Sequence, residues 1–273
     1  MTPPAATALA GAHDAGAREI ASVERWTERT VAWYERANAG SNYADQVLRA
    51  AREPLAGAGS VLDVGAGFGA LALPLARRGI RVTALEPAPA MADALRRAVR
   101  AAGLSNVEVI EAAWGAVSVA PHDVVLCAHV GPLLAPGSSF PAAVTRVASR
   151  AVVLVRDAPG SDDKFFFADL YPRLLGRLYE RRCAGRDPLA ALASLAVQVH
   201  VVPIEYRSDQ PFDSLEEACD FWTAWMDLDD AARPSLRAFL GRRLERRGEG
   251  WVAPYRKRAN VVWWWSGSRV AAA

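Results

Sequence analysis

Short apolar runs alternate with longer amphipathic segments through the middle of the chain, between residues 60 and 156. Apolar runs of four to eight residues bounded by Gly or Pro predict buried strands, and apolar residues recurring every three or four positions predict helices. The predicted strands cover 60–64, 80–85, 107–111, 123–129 and 151–156, and the predicted helices cover 70–78, 89–102 and 140–150. This alternation with short connections predicts parallel strands joined by right-handed crossovers.

The two ends of the chain have different patterns. Residues 1–17 are rich in Ala, Pro and Gly, which predicts a mobile tail. Residues 18–58 predict an N-terminal helical cap with helices over 19–38 and 43–52. The later segments predict helices over 163–182, 188–196, 214–225 and 231–246, and strands over 197–206, 251–254 and 260–265. We therefore expect one domain over 59–273, with a helical lid inserted at about 159–196.

Charge and composition exclude several classes of protein. The 273 residues carry 32 basic and 30 acidic side chains, so a concentrated basic face for nucleic acid is not expected. Three cysteines without a CxxC pair and four scattered histidines predict neither a disulfide framework nor a metal site. The chain has no basic-then-apolar leader and no apolar run of the roughly 18 residues of a membrane span. We expect a cytoplasmic protein that binds neither nucleic acid nor membrane, while the oligomeric state stays open.

The most informative segment is VLDVGAGFG, residues 61–69, in which an apolar strand leads directly into a glycine-rich loop. Gly65 and Gly67 carry no side chain, so a ligand can approach the backbone closely. The following helix begins with free N–H groups. Such loops lie at the carboxyl ends of parallel strands, where open α/β sheets bind ligands.

Asp63 distinguishes between two classes of ligand for this loop. The spacing Gly65-x-Gly67-x-x-Ala70, with Glu86 further along, also satisfies a relaxed dinucleotide pattern. A carboxylate at the end of the strand would repel a pyrophosphate. It would favour S-adenosylmethionine, which has no phosphate and carries an ammonium and a sulfonium. We therefore expect S-adenosylmethionine as the cofactor, with a nicotinamide-dependent dehydrogenase as the less favoured alternative.

The segments VLDVGAGFGALALPLARRG, VTALEPAPAMADALRRA and HDVVLCAHV together resemble the class I S-adenosylmethionine-dependent methyltransferases, over about residues 60–156. The resemblance implies a doubly wound α/β fold with a seven-stranded, mostly parallel sheet, N-terminal helices and a helical insert after strand five. It implies that Glu86 binds both ribose hydroxyls, a role that a carboxylate can fill because it accepts two hydrogens. It also places Pro87 near the adenine and the end of strand four near the methionine end of the cofactor.

The cofactor-binding residues expected on this basis lie in five parts of the chain: Asp63, Gly65, Ala66, Gly67 and Phe68; Glu86 and Pro87; Ala113 and Trp114; Ala128 and His129; and Tyr43. The chain departs from the family after strand three, where Ala113 replaces an acid that often receives the adenine amino group. Trp114 can stack on the adenine instead, although core packing is an equal alternative for this side chain. Glu111 can serve as the adenine acid if the alignment shifts by two residues. Tyr43 can close over the cofactor or simply pack its helix onto the sheet.

Methyl transfer needs alignment of the reacting atoms, and it needs a base only when the acceptor starts protonated. His129 and Asp157, which follow strands four and five, are the candidate catalytic residues. The Asn-Pro-Pro-Tyr type of motif and an aromatic–basic RNA track are both absent from the sequence, which favours a small-molecule acceptor. A non-catalytic S-adenosylmethionine-binding module or partner subunit remains open, whereas aminopropyl transfer lacks the acidic site that it requires. We also expect Phe165–Phe167, Leu170 and Tyr171 of the insert to line the acceptor pocket.

Overall fold

A computed structural model describes residues 23–134, 137–158, 163–179, 192, 195 and 197–267. Ten strands lie in these ranges, and nearly every strand of the central sheet comes from an apolar run. They are β1 Ser60–Val64, β2 Arg81–Leu85, β3 Val107–Ile110, β4 His122–Ala128, β5 Ala148–Asp157, β6 His200–Arg207, β7 Gln210–Phe212, β8 Glu245–Arg247, β9 Gly250–Ala253 and β10 Arg256–Trp265.

Seven of these strands form one sheet in the order β3-β2-β1-β4-β5-β10-β6. The first five strands are parallel, and β10 lies antiparallel between β5 and β6. β1 is central and wholly buried, which explains its continuous apolar sequence. The predicted fold, a doubly wound and mostly parallel seven-stranded α/β sheet with N-terminal helices, is confirmed. The order reverses at β1, between β2 and β4, so a ligand is expected beyond the carboxyl end of β1.

Nine α-helices lie in the described ranges, and most of them cover the two faces of this sheet. They are α1 Glu28–Ala39, α2 Tyr43–Ala50, α3 Arg52–Leu55, α4 Ala72–Arg77, α5 Pro89–Ala101, α6 Phe140–Val147, α7 Phe167–Leu175, α8 Leu215–Met226 and α9 Arg233–Arg243. Two short 3₁₀ helices, Gly131–Leu134 and Asp230–Ala232, complete the set.

Several boundaries differ from the predicted ones. The predicted helix over 163–182 is shorter, because α7 begins only after Phe166, which has a left-handed backbone, and ends at Gly176. The remainder of that prediction, most of the predicted helix over 188–196, and the predicted tail over 1–17 lie outside the described residues. The predicted helix over 231–246 divides into α9 and the strand β8, because its last residues pair with β9.

A second, smaller unit lies between β6 and β10, and the sequence pattern did not predict its sheet. Residues 208–255 form the antiparallel sheet β7-β9-β8 and the helices α8 and α9. Their apolar core also takes in Trp33 of α1 and Leu170 of α7, and it is centred on the buried aromatic side chains Phe212, Phe221 and Trp222. We call this group of elements, with α1 and α7, the cap.

Polar contacts attach α1 to the rest of the cap. Trp33 Nε1 donates to Glu217 Oε1 at 3.0 Å, and Arg36 forms ion pairs with Asp213 and Glu217. Gln210 Nε2 donates to the Trp33 carbonyl at 3.0 Å. Through these contacts the N-terminal helix and the segment before β10 form one layer, although some 170 residues separate them in the sequence.

Two features are absent from the described part of the chain. None of its helices combines the length and apolar character that crossing a membrane requires. Within the same residues, no three His, Cys, Asp or Glu side chains converge as a metal site would need.

Candidate functional site

The glycine loop after β1 has the backbone conformation that only glycine adopts easily. Gly65, Gly67 and Gly69 have φ angles of +73°, +57° and +94°. A Cβ atom on Gly65 would overlap Cγ2 of Val130, which follows β4, and a Cβ on Gly69 would overlap Leu95 of α5. At Gly67 the nearest atom to such a Cβ is Met91 Sδ at 3.9 Å. The loop is therefore closely packed at its two ends and more open in the middle.

Two acids are buried at the ends of β1 and β2 beside this loop. Asp63 is 2% exposed and Glu86 is 7% exposed. Glu86 accepts hydrogen bonds from the Gly67 N–H at 2.8 Å and from the Ala88 N–H at 2.9 Å, one on each carboxylate oxygen. A carboxylate has about four acceptor positions, so Glu86 can also accept from a ligand hydroxyl.

The negative charge of Asp63 is poorly compensated. Burial, together with the negative charge of Glu86, raises the pKa of Asp63 to about 7. A cation placed between the two carboxylates would remove this cost. The pair therefore forms a cation-attracting site next to the half-buried backbone of the loop.

Tyr43, the first residue of α2, lies over the carboxyl ends of β4 and β6. Its ring centre is 5.6 Å from that of His129 and 4.8 Å from that of Tyr206. The hydroxyl is buried and has no hydrogen-bond partner among the described residues. Burial and the nearby charges of Asp63 and Asp157 raise the pKa of Tyr43. The ring packs its helix onto the sheet, as one of the two alternatives from the sequence has it, and closure over the cofactor stays a prediction.

His129 follows β4 with a φ of +59°, a conformation that His tolerates better than most residues and that often marks a functional site. Its Nδ1 lies 3.0 Å from Asp157 Oδ1, at the end of the neighbouring strand β5. Because a carboxylate only accepts, Nδ1 carries the proton and Nε2 keeps its lone pair. The Tyr206 hydroxyl, at 3.3 Å, can donate to Nε2. The two candidate catalytic residues are thus in direct contact.

The charge states of this pair suit proton transfer. Burial and the positive charge of Lys257 lower the pKa of His129, outweighing the effect of Asp157. Burial would raise the pKa of Asp157, but the hydrogen bond from His129 and the charge of Lys257 lower it well below its usual range. The imidazole is therefore neutral at pH 7 and is oriented by a permanent carboxylate. This arrangement can take a proton from a bound acceptor at Nε2.

Three residues of this region were missed in the sequence. Lys257 Nζ, on β10, lies 2.9 Å from Asp157 Oδ1, and Tyr206 on β6 contacts His129. Lys164, before α7, reaches Ser208 Oγ at 3.0 Å. One signal was available: Lys164 and Lys257 are the only lysines among the 32 basic residues of the chain.

The remaining predicted site residues lie around the loop and the neighbouring strand ends. Ala66 and Phe68 are in the loop, and Phe68 packs with Met91 and with Val31 of α1. Ala128 ends β4. Trp114 packs edge-to-face on Phe140 of α6, with ring centres 5.3 Å apart, which matches the core-packing alternative.

The positions after β2 and β3 complete the set. Pro87 and Ala113 are half-buried. Glu111 forms an ion pair with Arg96 at 2.9 Å. The predicted roles of all these residues in binding a cofactor stay predictions.

The structure changes one expectation about the insert. Phe166 stacks on Trp222 with ring centres 6.0 Å apart and an interplanar angle of 8°, and it belongs to the core of the cap. Tyr171 packs on Phe167 at 5.8 Å beside the same core. Phe166 was therefore wrongly expected to line the acceptor pocket, because its ring face is used in packing.

Comparison with protein families gives a match over this region. Residues 61–150, which run from β1 into β5, match a family described as a methyltransferase domain. The segment contains the glycine loop, both buried acids and His129. The family expected from the sequence is confirmed for these residues.

Individual relatives support the same fold. A ubiquinone biosynthesis O-methyltransferase from Methylocella silvestris is 45% identical over 85 residues, which cover 30% of this chain and 32% of the relative. The chain thus matches about a third of the length of that protein. A crystal structure of a protein from Bacillus halodurans C-125, described as a candidate methyltransferase, aligns with a TM-score of 0.51 at 16% identity. That alignment covers 82% of this chain and 98% of the other, and at this identity it supports the fold alone.

Proposed function

We propose that this chain, through the class I S-adenosylmethionine-dependent methyltransferase domain at residues 61–150, catalyses methyl transfer to a small-molecule acceptor. The observation that carries the proposal is the buried pair Asp63 and Glu86 beside the open backbone of Gly67. A non-catalytic binding module needs this pocket too, but it has no need of the His129–Asp157 pair that lies beyond it.

The residues of the pocket fit S-adenosylmethionine. Two buried carboxylates attract its positive charges, whereas they would repel the pyrophosphate of a nicotinamide or flavin dinucleotide. Glu86 keeps lone pairs for the ribose hydroxyls while it holds the Gly67 N–H. When bound, S-adenosylmethionine supplies a methyl group that its sulfonium has activated.

The chain's own residues orient the acceptor and accept its proton. Asp157 fixes the His129 ring through Nδ1, so that Nε2 is available to take a proton from an acceptor hydroxyl. Without an acceptor the Tyr206 hydroxyl donates to His129 Nε2, and the hydroxyl of a bound acceptor takes its place. The low pKa of His129 keeps the ring neutral at pH 7 and ready to accept a proton.

The cap supports a small acceptor. Tyr34 of α1 is half-buried, and burial and the charge of Asp157 raise the pKa of its hydroxyl. Tyr43 packs beside His129 and Tyr206, so aromatic rings lie next to the His129–Asp157 pair, as is usual in a small-molecule site. The Methylocella relative is named as an O-methyltransferase, which agrees with a hydroxyl acceptor. We also propose that residues 18–58 and the insert at about 159–196 cover the site, in line with the division of the chain expected from the sequence.

Calorimetry tests the cofactor part of the proposal. We expect S-adenosylhomocysteine to bind with a Kd in the micromolar range and NAD to show no measurable binding. The matched control is Asp93→Asn, which changes an exposed acid on α5 and should leave both results unchanged. Tight binding of NAD with no binding of S-adenosylhomocysteine would refute the proposal.

A turnover screen tests the catalytic part. Small phenols and other hydroxyl compounds are incubated with S-adenosylmethionine, and the formation of S-adenosylhomocysteine is measured. With an accepted compound, His129→Gln should lower kcat by about 10²–10⁴-fold, the usual contribution of a general base. If kcat stays unchanged in this variant, His129 is not the base. Binding without turnover of any compound would support the non-catalytic alternative.

A further inference from the structure

The two lysines of the chain lie together at the acceptor side of the sheet. All other basic residues among the 32 are arginines. Lys257 is on β10, and Lys164 precedes α7 and reaches the residue that follows β6. Arginine stays charged in any environment, whereas lysine exchanges its proton readily when buried. The only two basic residues of this kind thus lie near each other, and Lys257 pairs with the Asp157 that orients the candidate base.

Their charges are not balanced by the acids nearby. Lys257 pairs with Asp157, whose single negative charge also holds His129. Asp209 pairs with Arg247 at 3.0 Å. In the described ranges Lys164 has no carboxylate within 4.0 Å, and its polar contact is the neutral Ser208 hydroxyl. This half-buried amine thus has no anionic partner among the described residues.

Two further observations are consistent with a missing ligand. Burial and the charge of Lys257 lower the pKa of Lys164 to about 7, against the opposing effect of Asp209. Tyr43, whose ring packs beside His129, has a buried hydroxyl that has no partner among the described residues. An anionic group at Lys164 and a hydroxyl near Tyr43 would satisfy both.

We propose that Lys164 binds a carboxylate of the methyl acceptor, so that the acceptor is a small hydroxy-carboxylate whose hydroxyl faces His129. The inference deepens the proposed function and rests on it. The carboxylate of the cofactor is a poorer candidate for this partner, because the methionine end is expected at the end of β4, two strands away from β10. Lys164 and Lys257 lie across the sheet, beside β10 and β6.

Lysine labelling gives a direct test. With only two lysines, protein labelled with ¹³C at the lysine ε-carbon gives two side-chain signals, and the Lys164→Met variant assigns them. With S-adenosylhomocysteine at saturation, 4-hydroxybenzoate should shift the Lys164 signal, whereas 4-hydroxybenzamide, its uncharged counterpart, should not. If 4-hydroxybenzoate moves neither signal, or moves that of Lys257 alone, the inference is wrong.

Affinities supply a second measurement. We expect 4-hydroxybenzoate to bind at least about tenfold more tightly than the amide, the value of one charge-assisted hydrogen bond. Lys164→Met should abolish that difference, and Lys164→Arg should retain most of it. The control Arg237→Met removes an exposed charge that pairs with Glu216 and should leave the difference intact. Equal binding of the two compounds to the wild-type protein would overturn the inference.

These outcomes can be separated from failure of the proposed function. If S-adenosylhomocysteine does not bind at all, the proposed function fails and this inference fails with it. If S-adenosylhomocysteine binds while the carboxylate leaves the Lys164 signal unmoved, only the inference about the acceptor fails. The labelling result on wild-type protein does not depend on the folding of any variant.

Discussion

The two sides of the sheet's carboxyl edge are built in different ways. The cofactor side consists of β1, β2 and the glycine loop, and its chemistry comes from residues within 63–86. The acceptor side consists of the ends of β4, β5, β10 and β6 with the cap, and it combines Tyr43, His129 and Lys257 from distant parts of the chain. The cofactor side is acidic and depends on backbone shape. The acceptor side is aromatic and carries the two lysines.

This difference indicates how a shared fold can serve different acceptors. The cofactor side is fixed by glycine conformations and by strand ends that the parallel sheet places together. The acceptor side is fixed by packing between segments that have no common local pattern, so substitutions there can change the acceptor without disturbing the cofactor pocket. The four predictions below test whether the two sides are separable.

Trp222→Ala should have the largest effect on stability. The side chain is fully buried, its Nε1 donates to the Phe165 carbonyl at 2.6 Å, and aromatic rings surround it. We expect a loss of about 4 kcal/mol in the free energy of unfolding, measured by urea denaturation. The Kd of S-adenosylhomocysteine for the folded protein should change less than about threefold.

The control for this variant is Leu178→Ala, which alters a side chain that is 79% exposed and should change stability by less than about 0.5 kcal/mol. A fall in cofactor affinity as large as the fall in stability would contradict the separation of the two sides.

Gly65→Ala, on the cofactor side, should lower the free energy of unfolding by about 3 kcal/mol. A left-handed backbone costs alanine about 1 kcal/mol, and overlap of the new Cβ with Val130 adds about 2 kcal/mol. Gly79→Ala is the matched control, because it has a φ of +83° but no atom within 4 Å of the new Cβ. We expect the control to lose only about 1 kcal/mol in thermal unfolding. Equal losses in both variants would show that the contact with Val130 does not matter.

Asp63→Asn should separate stability from binding. Burial raises the folded-state pKa of Asp63 to about 7, above the unfolded value of about 3.9. The folded protein therefore binds this proton more tightly, and the stability present below about pH 4 is lost as the pH rises through 7. At pH 8 the variant should gain on the order of 2 kcal/mol without ligand, and the gain should shrink towards pH 4.

The same variant should bind S-adenosylhomocysteine at least about tenfold more weakly, because the ammonium of the ligand loses its interaction with the buried Asp63 carboxylate. Thermal unfolding from pH 5 to 8 and calorimetry measure the two effects. A variant that is less stable than wild type at pH 8 would show that the charge of Asp63 is already compensated.

The same contrast decides how much the sequence could predict. β1, the glycine loop and Glu86 follow from local patterns, and the sequence placed them correctly. The contact between His129 and Asp157 could have been predicted from the sequence, because both lie at the carboxyl ends of neighbouring parallel strands. The strand β7 could not be predicted, because three residues are too few to show an alternating pattern. They form a strand only because they pair with β9. The expected role of Phe166 was wrong for a similar reason: a run of aromatic residues in the sequence is typical both of a lid over a site and of a second core.

Tyr43→Phe should have the smallest effect on stability, and the change should be opposite in sign to that caused by Tyr206→Phe. The Tyr43 hydroxyl is buried without a described partner, a state that costs about 1 kcal/mol or more. The variant should therefore gain about 1 kcal/mol in urea unfolding without ligand, since the ring keeps its contacts with His129 and Tyr206. Tyr206→Phe removes a hydroxyl that contacts His129 Nε2, so it should lose about 1 kcal/mol in the same assay. The opposite signs distinguish a hydroxyl that awaits a ligand from one that already has a partner. A loss of stability in both variants would mean that Tyr43 belongs to the packing of the acceptor side and does not bind a ligand.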